Sequence, residues 1–405
     1  MNNVLEFIDK NLGRCVKLNR RDDGELIGLP YEYTVPNVER HNELYYWDTY
    51  FTNIGLLRRG LENLAKSNTD NILYMVNKYG YMANGNRTYF LRTSQPPFLS
   101  MMVRDVYEFF GDTAWLFGAY HVLEKEYDFW CTKRMTATGL CQYNGDLSED
   151  GISDYFANAY KNRSGVDWQE STDKLALQAI ICCESGWDMN PRWGTDAMNY
   201  VQPDLNSLIY ILEENMAYFA KILENGDYDK WKNLAQKRKE LMQKYLDRGD
   251  GLLTDYNFAS GKHSEVISAA CLYPMFASLA DENNVRAVKE NLNLLEAPHG
   301  IYACAKNEVP GSYQWNYPNG WPCHQYIAVM ALENYGYHDD AMRIAKKYVS
   351  LVEDIFESTG NLWEKYNVLE GSINVTNEYD MPPMMGWSAG VYIVLKEFTE
   401  KDKGC

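Results

Sequence analysis

Ten consecutive residues, Glu184-Ser185-Gly186-Trp187-Asp188-Met189-Asn190-Pro191-Arg192-Trp193, bring two carboxylates, a guanidinium and two indoles together. Asp188 stands beside Trp187 and follows the flexible Gly186, an order that can press a carboxyl against an apolar wall. Such a wall disfavours the charged form and raises the pKa, as a general acid working at neutral pH requires. The structural alternative is a helix that ends at Ser185-Gly186, with Asp188 as an ordinary turn or cap residue.

Four other stretches are equally dense in polar, charged and aromatic groups. Glu39 to Tyr50 holds Arg40, Trp47 and Asp48: a fixed cationic donor, a stacking face and an acceptor that together suit the hydroxyls of a pyranose, or else a helix entry with an aromatic stripe. Asn84 to Pro97 ends in two prolines that open a helix, leaving Gln95 just ahead of it as a cap or as an amide that reads a hydroxyl. Tyr313 to Pro322 is too aromatic for an ordinary exposed loop, and Glu364-Lys365-Tyr366 is followed by Asn377-Glu378-Tyr379 and Gly386-Trp387-Ser388.

These stretches need a scaffold, and the apolar periodicity supplies helices. From Tyr45 onward, helical patterns of ten to twenty residues recur between Gly, Pro and Asn punctuation, and strand-like alternation is scarce. Pro203 opens a helix carrying Leu205, Leu208, Ile209, Leu212, Met216, Phe219 and Leu223 before Asn225-Gly226 stops it. Its successor carries Trp231, Leu234, Leu241 and Tyr245 on one stripe between charges. Pro322 to Tyr335 is apolar nearly all round, whereas Asp339 to Val352 carries only the stripe Ala341, Ile344, Ala345, Tyr348 and Val352. Buried helices alternating with amphipathic ones predict a double ring, with the motif-rich loops converging on a central cavity at one end. An α-solenoid is the other arrangement considered, and no repeat of fixed period supports it.

The chain has 405 residues and a net charge of −17, which disfavours nucleic acid or an anionic membrane as a partner. No linker or low-complexity run divides it, so a single catalytic domain over 1–405 is expected. Eleven Trp and 32 Tyr suit both cores and sugar faces. Nine scattered cysteines without a CxxC pair read as reduced thiols, and no metal or other cofactor is expected. Met1 to Arg14 lacks the apolar run of a signal peptide, so a cytoplasmic location is expected, as a monomer or small homo-oligomer. Asp146 to Gly151 begins like a calcium loop, but Ala157 holds the place of the bidentate Glu. Asn162-Arg163-Ser164 is a formal glycosylation triplet.

Taken in order, the motifs resemble the trehalase family, glycoside hydrolase family 37, within the inverting α-glycosidases built on an (α/α)6 toroid. The resemblance runs from about Pro36 to Val391. It rests on Glu43-x-Tyr45-x-Trp47-Asp48-x-Tyr50, Gly85-Asn86-Arg87-x-Tyr89 with Ser94-Gln95-Pro96-Pro97, and Glu184-Ser-Gly-Trp-Asp188 with Arg192-Trp193. Asp204-Leu205-Asn206, Gln314-Trp315 with Pro318-Asn319-Gly320-Trp321-Pro322, and Glu364-Lys365-Tyr366 complete it. By position, the resemblance implies Asp188 as general acid and Glu378 as general base. It implies a pocket lined by Arg40, Trp47, Asp48, Asn84, Arg92, Gln95, Trp187, Gln314, Trp315, Asn316 and Trp387. Two carboxyls with water between base and anomeric carbon are what an inverting glycosidase needs.

The chain departs from the family pattern on the leaving side. Thr93 stands where an arginine precedes Ser-Gln-Pro-Pro, with Arg92 one residue earlier, and Gly151 to Tyr155 stands where Arg-Pro-Glu-Ser is usual. His41 replaces Phe and Asn316 replaces Asp. Trehalose is the first substrate expected; another small α-glucoside, or a glucosyl- or mannosylglycerate, is the alternative. A sugar isomerase or epimerase using His324, or a non-catalytic sugar-binding module, comes after these.

Overall fold

The structure, a computed structural model, describes residues 3–37, 40–376, 380–383 and 385–401. Its helices are α1 (Asn3–Asn11), α2 (Tyr46–Arg58), α3 (Glu62–Tyr79), α4 (Leu99–Phe110), α5 (Thr113–Lys133), α6 (Ile152–Ser164) and α7 (Thr172–Glu184). They continue with α8 (Pro203–Leu223), α9 (Tyr228–Leu246), α10 (Tyr273–Phe276), α11 (Glu282–Leu295), α12 (Pro322–Glu333), α13 (His338–Thr359) and α14 (Gly386–Lys401). Strands are two-residue ladders in the connections.

The alternation read from the sequence is present. Pro203 opens α8 at a position where its missing N–H leaves no intrahelical bond unmade. Residues of α12 are buried all round except Met330 and Glu333. α13 buries the stripe Ala341, Ile344, Ala345, Tyr348 and Val352, and runs past the expected end at Val352 because Ile355 prolongs that stripe. Gly360, in the left-handed region, then ends it.

The buried helices close into a ring: α2 packs on α4, α4 on α8, α8 on α10, α10 on α12, α12 on α14, and α14 back on α2. Outside them, α3 bridges α2 and α4, α5 bridges α4 and α8, α9 covers α8, and α13 covers α12 and α14. α11 packs on the 269–272 turn that leads into α10, and α1 completes the outer layer through Phe7 against Phe356 of α13. The fold is therefore the all-α (α/α)6 toroid. α6 and α7, which follow α5 and precede α8 in the chain, pack on each other as an additional helical pair. The ring closes tightly because α14 and α2 cross at glycines. A Cβ on Gly390 would lie 1.9 Å from the Phe51 carbonyl oxygen, and one on Gly55 would lie 2.5 Å from the Gly390 Cα. No described helix is long and apolar enough to cross a membrane.

Candidate active site

A cavity of about 650 Å³ opens at the end of the ring where inner helices begin. Trp47 and Asp48 come from the first turn of α2, Trp321 from the N-cap of α12 and Trp387 from the first turn of α14. The 84–95 connection adds Asn84, Arg92 and Gln95; the 314–321 connection adds Gln314 and Trp315; the residues after α7 add Asp188. Helix N-termini directed at one cavity give it partial positive charge, which favours oxygens that gain negative character.

The helix end expected at Ser185-Gly186 is present, and Asp188, just beyond it, lines the cavity. α7 ends at Glu184 with Ser185 as C-cap, and the chain turns through Gly186 at φ +73° to bring Asp188 into the cavity. Ser185 Oγ donates to the Cys182 carbonyl at 2.7 Å and accepts from the Trp187 N–H at 3.1 Å. Beyond Asp188, Asn190 Nδ2 donates to the Trp187 carbonyl at 2.8 Å, and Met189 holds a left-handed φ of +52°. Burial pushes the Asp188 carboxyl up to about 6; the Arg163 guanidinium opposes that rise and Glu364 adds to it. A carboxyl in that range carries a proton for transfer at mildly acidic pH.

Gly186 has two reasons to lack a side chain. Its φ disfavours any Cβ, and a Cβ there would meet Trp47 Cε2 at 2.7 Å. Gly186→Ala is expected to cost about 1–3 kcal/mol from backbone strain, before the displacement of a rigid indole is counted. Its melting temperature and kcat/KM should both fall, since Trp47 and Asp188 move together; a thermal melt and a steady-state assay check this.

The wall of the cavity is a block of indoles. Trp315 stacks on Trp321 at 3.7 Å between centroids with planes 1° apart, and lies 5.6 Å from both Trp47 and Trp187. Trp387 packs edge-on against Trp47, Trp315 and Trp321. Flat faces with polar rims suit a pyranose. Gln95 caps α2, since its Oε1 accepts from the Trp47 N–H at 3.3 Å, and it also lines the cavity. Asn84 Nδ2 donates to the Cys183 carbonyl at 3.2 Å, tying this floor to the last turn of α7.

Two further carboxyls share the cavity with Asp188. Burial first, then Glu364, pushes Asp48 up to about 7. Glu364 itself is paired with Lys365 Nζ at 2.8 Å, and that ammonium also donates to Gln314 Oε1 at 3.1 Å over the face of Trp321. The Glu364-Lys365 pair was part of a motif in the sequence but had no role there.

The other anticipated residues distribute unevenly. Trp187 lies behind the cavity wall, buried against Trp315, His324 and the Arg192 guanidinium. Asn316 is outside the lining, with Oδ1 accepting from Asn307 Nδ2 at 2.8 Å. Arg40 is also outside, exposed, with Nη1 donating to the Asp380 carbonyl at 3.0 Å. Arg92 lines the cavity but is ion-paired with Glu149. Glu378 lies outside the described residues. His324 is buried behind Trp187 and Trp315, its pKa lowered to about 3 by burial, and neither ring nitrogen has a hydrogen-bond partner among the described residues. It has no access to a substrate, which removes the acid/base role that an epimerase would give it.

Two motif residues act as braces. Glu184 is buried and accepts from the Ser94 N–H at 2.8 Å and from Arg134 Nε and Nη2 at 2.9 and 2.7 Å. Arg192 is buried between Asp204 and Asp255, each at 2.7 Å from Nη2, with Trp187 and Trp193 against its plane. Arg163 of α6 is the residue that sequence reasoning missed: it lines the cavity and is the leading charge acting on Asp188.

A sequence model of the trehalase family matches residues 8–399. The periplasmic trehalase of Xanthomonas axonopodis pv. citri (strain 306) is 31% identical over 394 residues, covering 91% of this chain and 68% of that protein. The periplasmic trehalase of Escherichia coli O139:H28 is 30% identical over 413 residues, covering 94% and 71%. Among solved structures, neutral trehalase Nth1 from Saccharomyces cerevisiae superposes with a TM-score of 0.78 at 29% identity, over 91% of this chain and 74% of that one. A mannosylglycerate hydrolase of family GH63 from Thermus thermophilus has a TM-score of 0.64 at 14% identity, over 97% and 99%, and shares the fold. The cytoplasmic location expected from the sequence is corrected by these findings: the curated relatives named above are periplasmic trehalases, which points away from the cytoplasm. An N-terminal segment without a continuous apolar run was too weak a ground for that expectation.

Proposed function

The chain belongs to the trehalase family and is a glycoside hydrolase, and we propose that it hydrolyses trehalose with inversion, Asp188 serving as general acid and Glu378 as general base. In this reading Glu378 takes a proton from water as the water oxygen bonds to the anomeric carbon. The glycosidic C–O bond breaks on the opposite face, and Asp188 gives its proton to the departing oxygen. The observation that carries the reading is a raised carboxyl in a cavity of about 650 Å³, beside Trp47, Asp48, Asn84, Gln95 and Trp315. Those neighbours would hold the cleaved glucose. A second reading, another small α-glucoside, is favoured by Arg92, which is ion-paired with Glu149 next to Thr93.

Inversion has a simple signature on trehalose, whose two glucoses are both α-linked. The cleaved glucose is expected to emerge as the β-anomer and the departing one as the α-anomer, so early proton NMR spectra should show the two in equal amounts. Early spectra with α-glucose alone would indicate a retaining double displacement. Running the same assay with kojibiose, nigerose, sucrose or glucosylglycerate in competition separates the two substrate readings.

A further inference from the structure

α6 turns one face toward the cavity. Ile152, Tyr155, Phe156, Ala159 and Arg163 all line it, at the three- and four-residue spacing that places side chains on one stripe of a helix. At 1.5 Å per residue the stripe is roughly 16 Å long. Its Arg163 end is the one that acts on Asp188, and a general acid protonates the oxygen of the departing group. With Asp188 as the acid, the α6 stripe, which shares the cavity with Trp47, Asp48 and Gln95, borders the leaving side. Tyr155 and Phe156 offer ring faces there and Arg163 offers a fork of N–H donors.

We propose that Arg163 is the specificity-determining residue of the leaving side, donating hydrogen bonds to hydroxyls of the departing glucose. Here Thr93 and the Gly151–Tyr155 segment provide no guanidinium. The assignment rests on the trehalose reading above. It puts the donor on a helix inserted between α5 and α8, eleven residues along a stripe that is otherwise apolar. The same guanidinium holds down the pKa of Asp188, so its loss should be felt in both binding and pH dependence.

The test compares Arg163→Gln and Arg163→Lys with wild type on trehalose and on α-glucosyl fluoride, whose leaving group has no hydroxyl to bind. Arg163 is exposed on α6, so both variants should melt close to wild type. Arg163→Gln is expected to lower kcat/KM on trehalose about 10- to 100-fold, mainly through KM. The loss on α-glucosyl fluoride should be at least tenfold smaller. Removing the cation should also move the alkaline limb of kcat/KM for trehalose to higher pH. Arg163→Lys should return the limb to its place but not KM, because an ammonium lacks the planar fork. Equal losses on both substrates with the limb unmoved, or an unchanged kcat/KM on trehalose, would overturn the assignment. A wild-type enzyme that cleaves α-glucosyl fluoride but not trehalose fails the trehalose reading itself, and the assignment falls with it.

Discussion

Asp188→Asn should lower kcat/KM on trehalose by about 10²- to 10⁴-fold, the range general acid assistance supplies, while its melting temperature stays near that of wild type. The amide keeps the size of the carboxyl, and Asp188 reaches the cavity from a loop fixed by bonds of Ser185 and Asn190 rather than by its own side chain. The control is α-glucosyl fluoride, which departs as fluoride and needs little proton donation. Loss confined largely to trehalose identifies the acid. Asp48 is the comparison that gives the result meaning, because burial raises its pKa too. If it only binds the cleaved glucose, Asp48→Asn loses activity on both substrates alike. Near-normal turnover of trehalose by Asp188→Asn would remove the assignment.

The pH profile follows from the same carboxyl. A general acid must be protonated, and Asp188 is held at about 6, so kcat/KM on trehalose should decline as pH rises through about 6. A profile still rising between pH 7 and 8 would contradict this.

Helices and motifs were legible in the sequence to different depths, for physical reasons. The contrast between α12 and α13 is local: residues three and four apart share a face, so Ile327 to Leu332 and the Ala341 to Val352 stripe announce their burial in the sequence. The turn at Gly186 was legible as a helix stop, but the contact that forbids a Cβ there comes from Trp47, more than a hundred residues away. Arg163 was visible only as the middle of a glycosylation triplet. That it shares one face of α6 with Ile152, Tyr155, Phe156 and Ala159, and that this face meets the cavity, is set by the fold. Arg40 and Asn316 show the converse, since motif position alone could not tell that Asp380 and Asn307 engage them. Arg192 was read with the reactive stretch, although its partners Asp204 and Asp255 make it part of the scaffold.

That scaffold role gives the largest expected effect on stability. Arg192 is fully buried with two carboxylates on one guanidinium, so Arg192→Ala leaves buried negative charge without a partner, a change that typically costs about 3–5 kcal/mol. The indoles of Trp187 and Trp193 lose the plane between them as well, so activity should fall along with stability. The penalty should depend on pH in one direction. Burial raises the pKa of Asp255 and the Arg192 guanidinium opposes that rise, so removing the arginine raises it further. A carboxyl with a raised folded-state pKa destabilises the fold as pH rises through that pKa and ceases to do so once it is protonated. The stability gap between wild type and Arg192→Ala, measured by urea denaturation, should accordingly be wider at pH 8 than at pH 5. Arg192→Lys, which keeps the charge but cannot reach both carboxylates with a planar fork, should fall between the two. A gap that stays constant or widens on acidification would mean the destabilisation comes from lost packing against Trp187 and Trp193 rather than from unpaired charge.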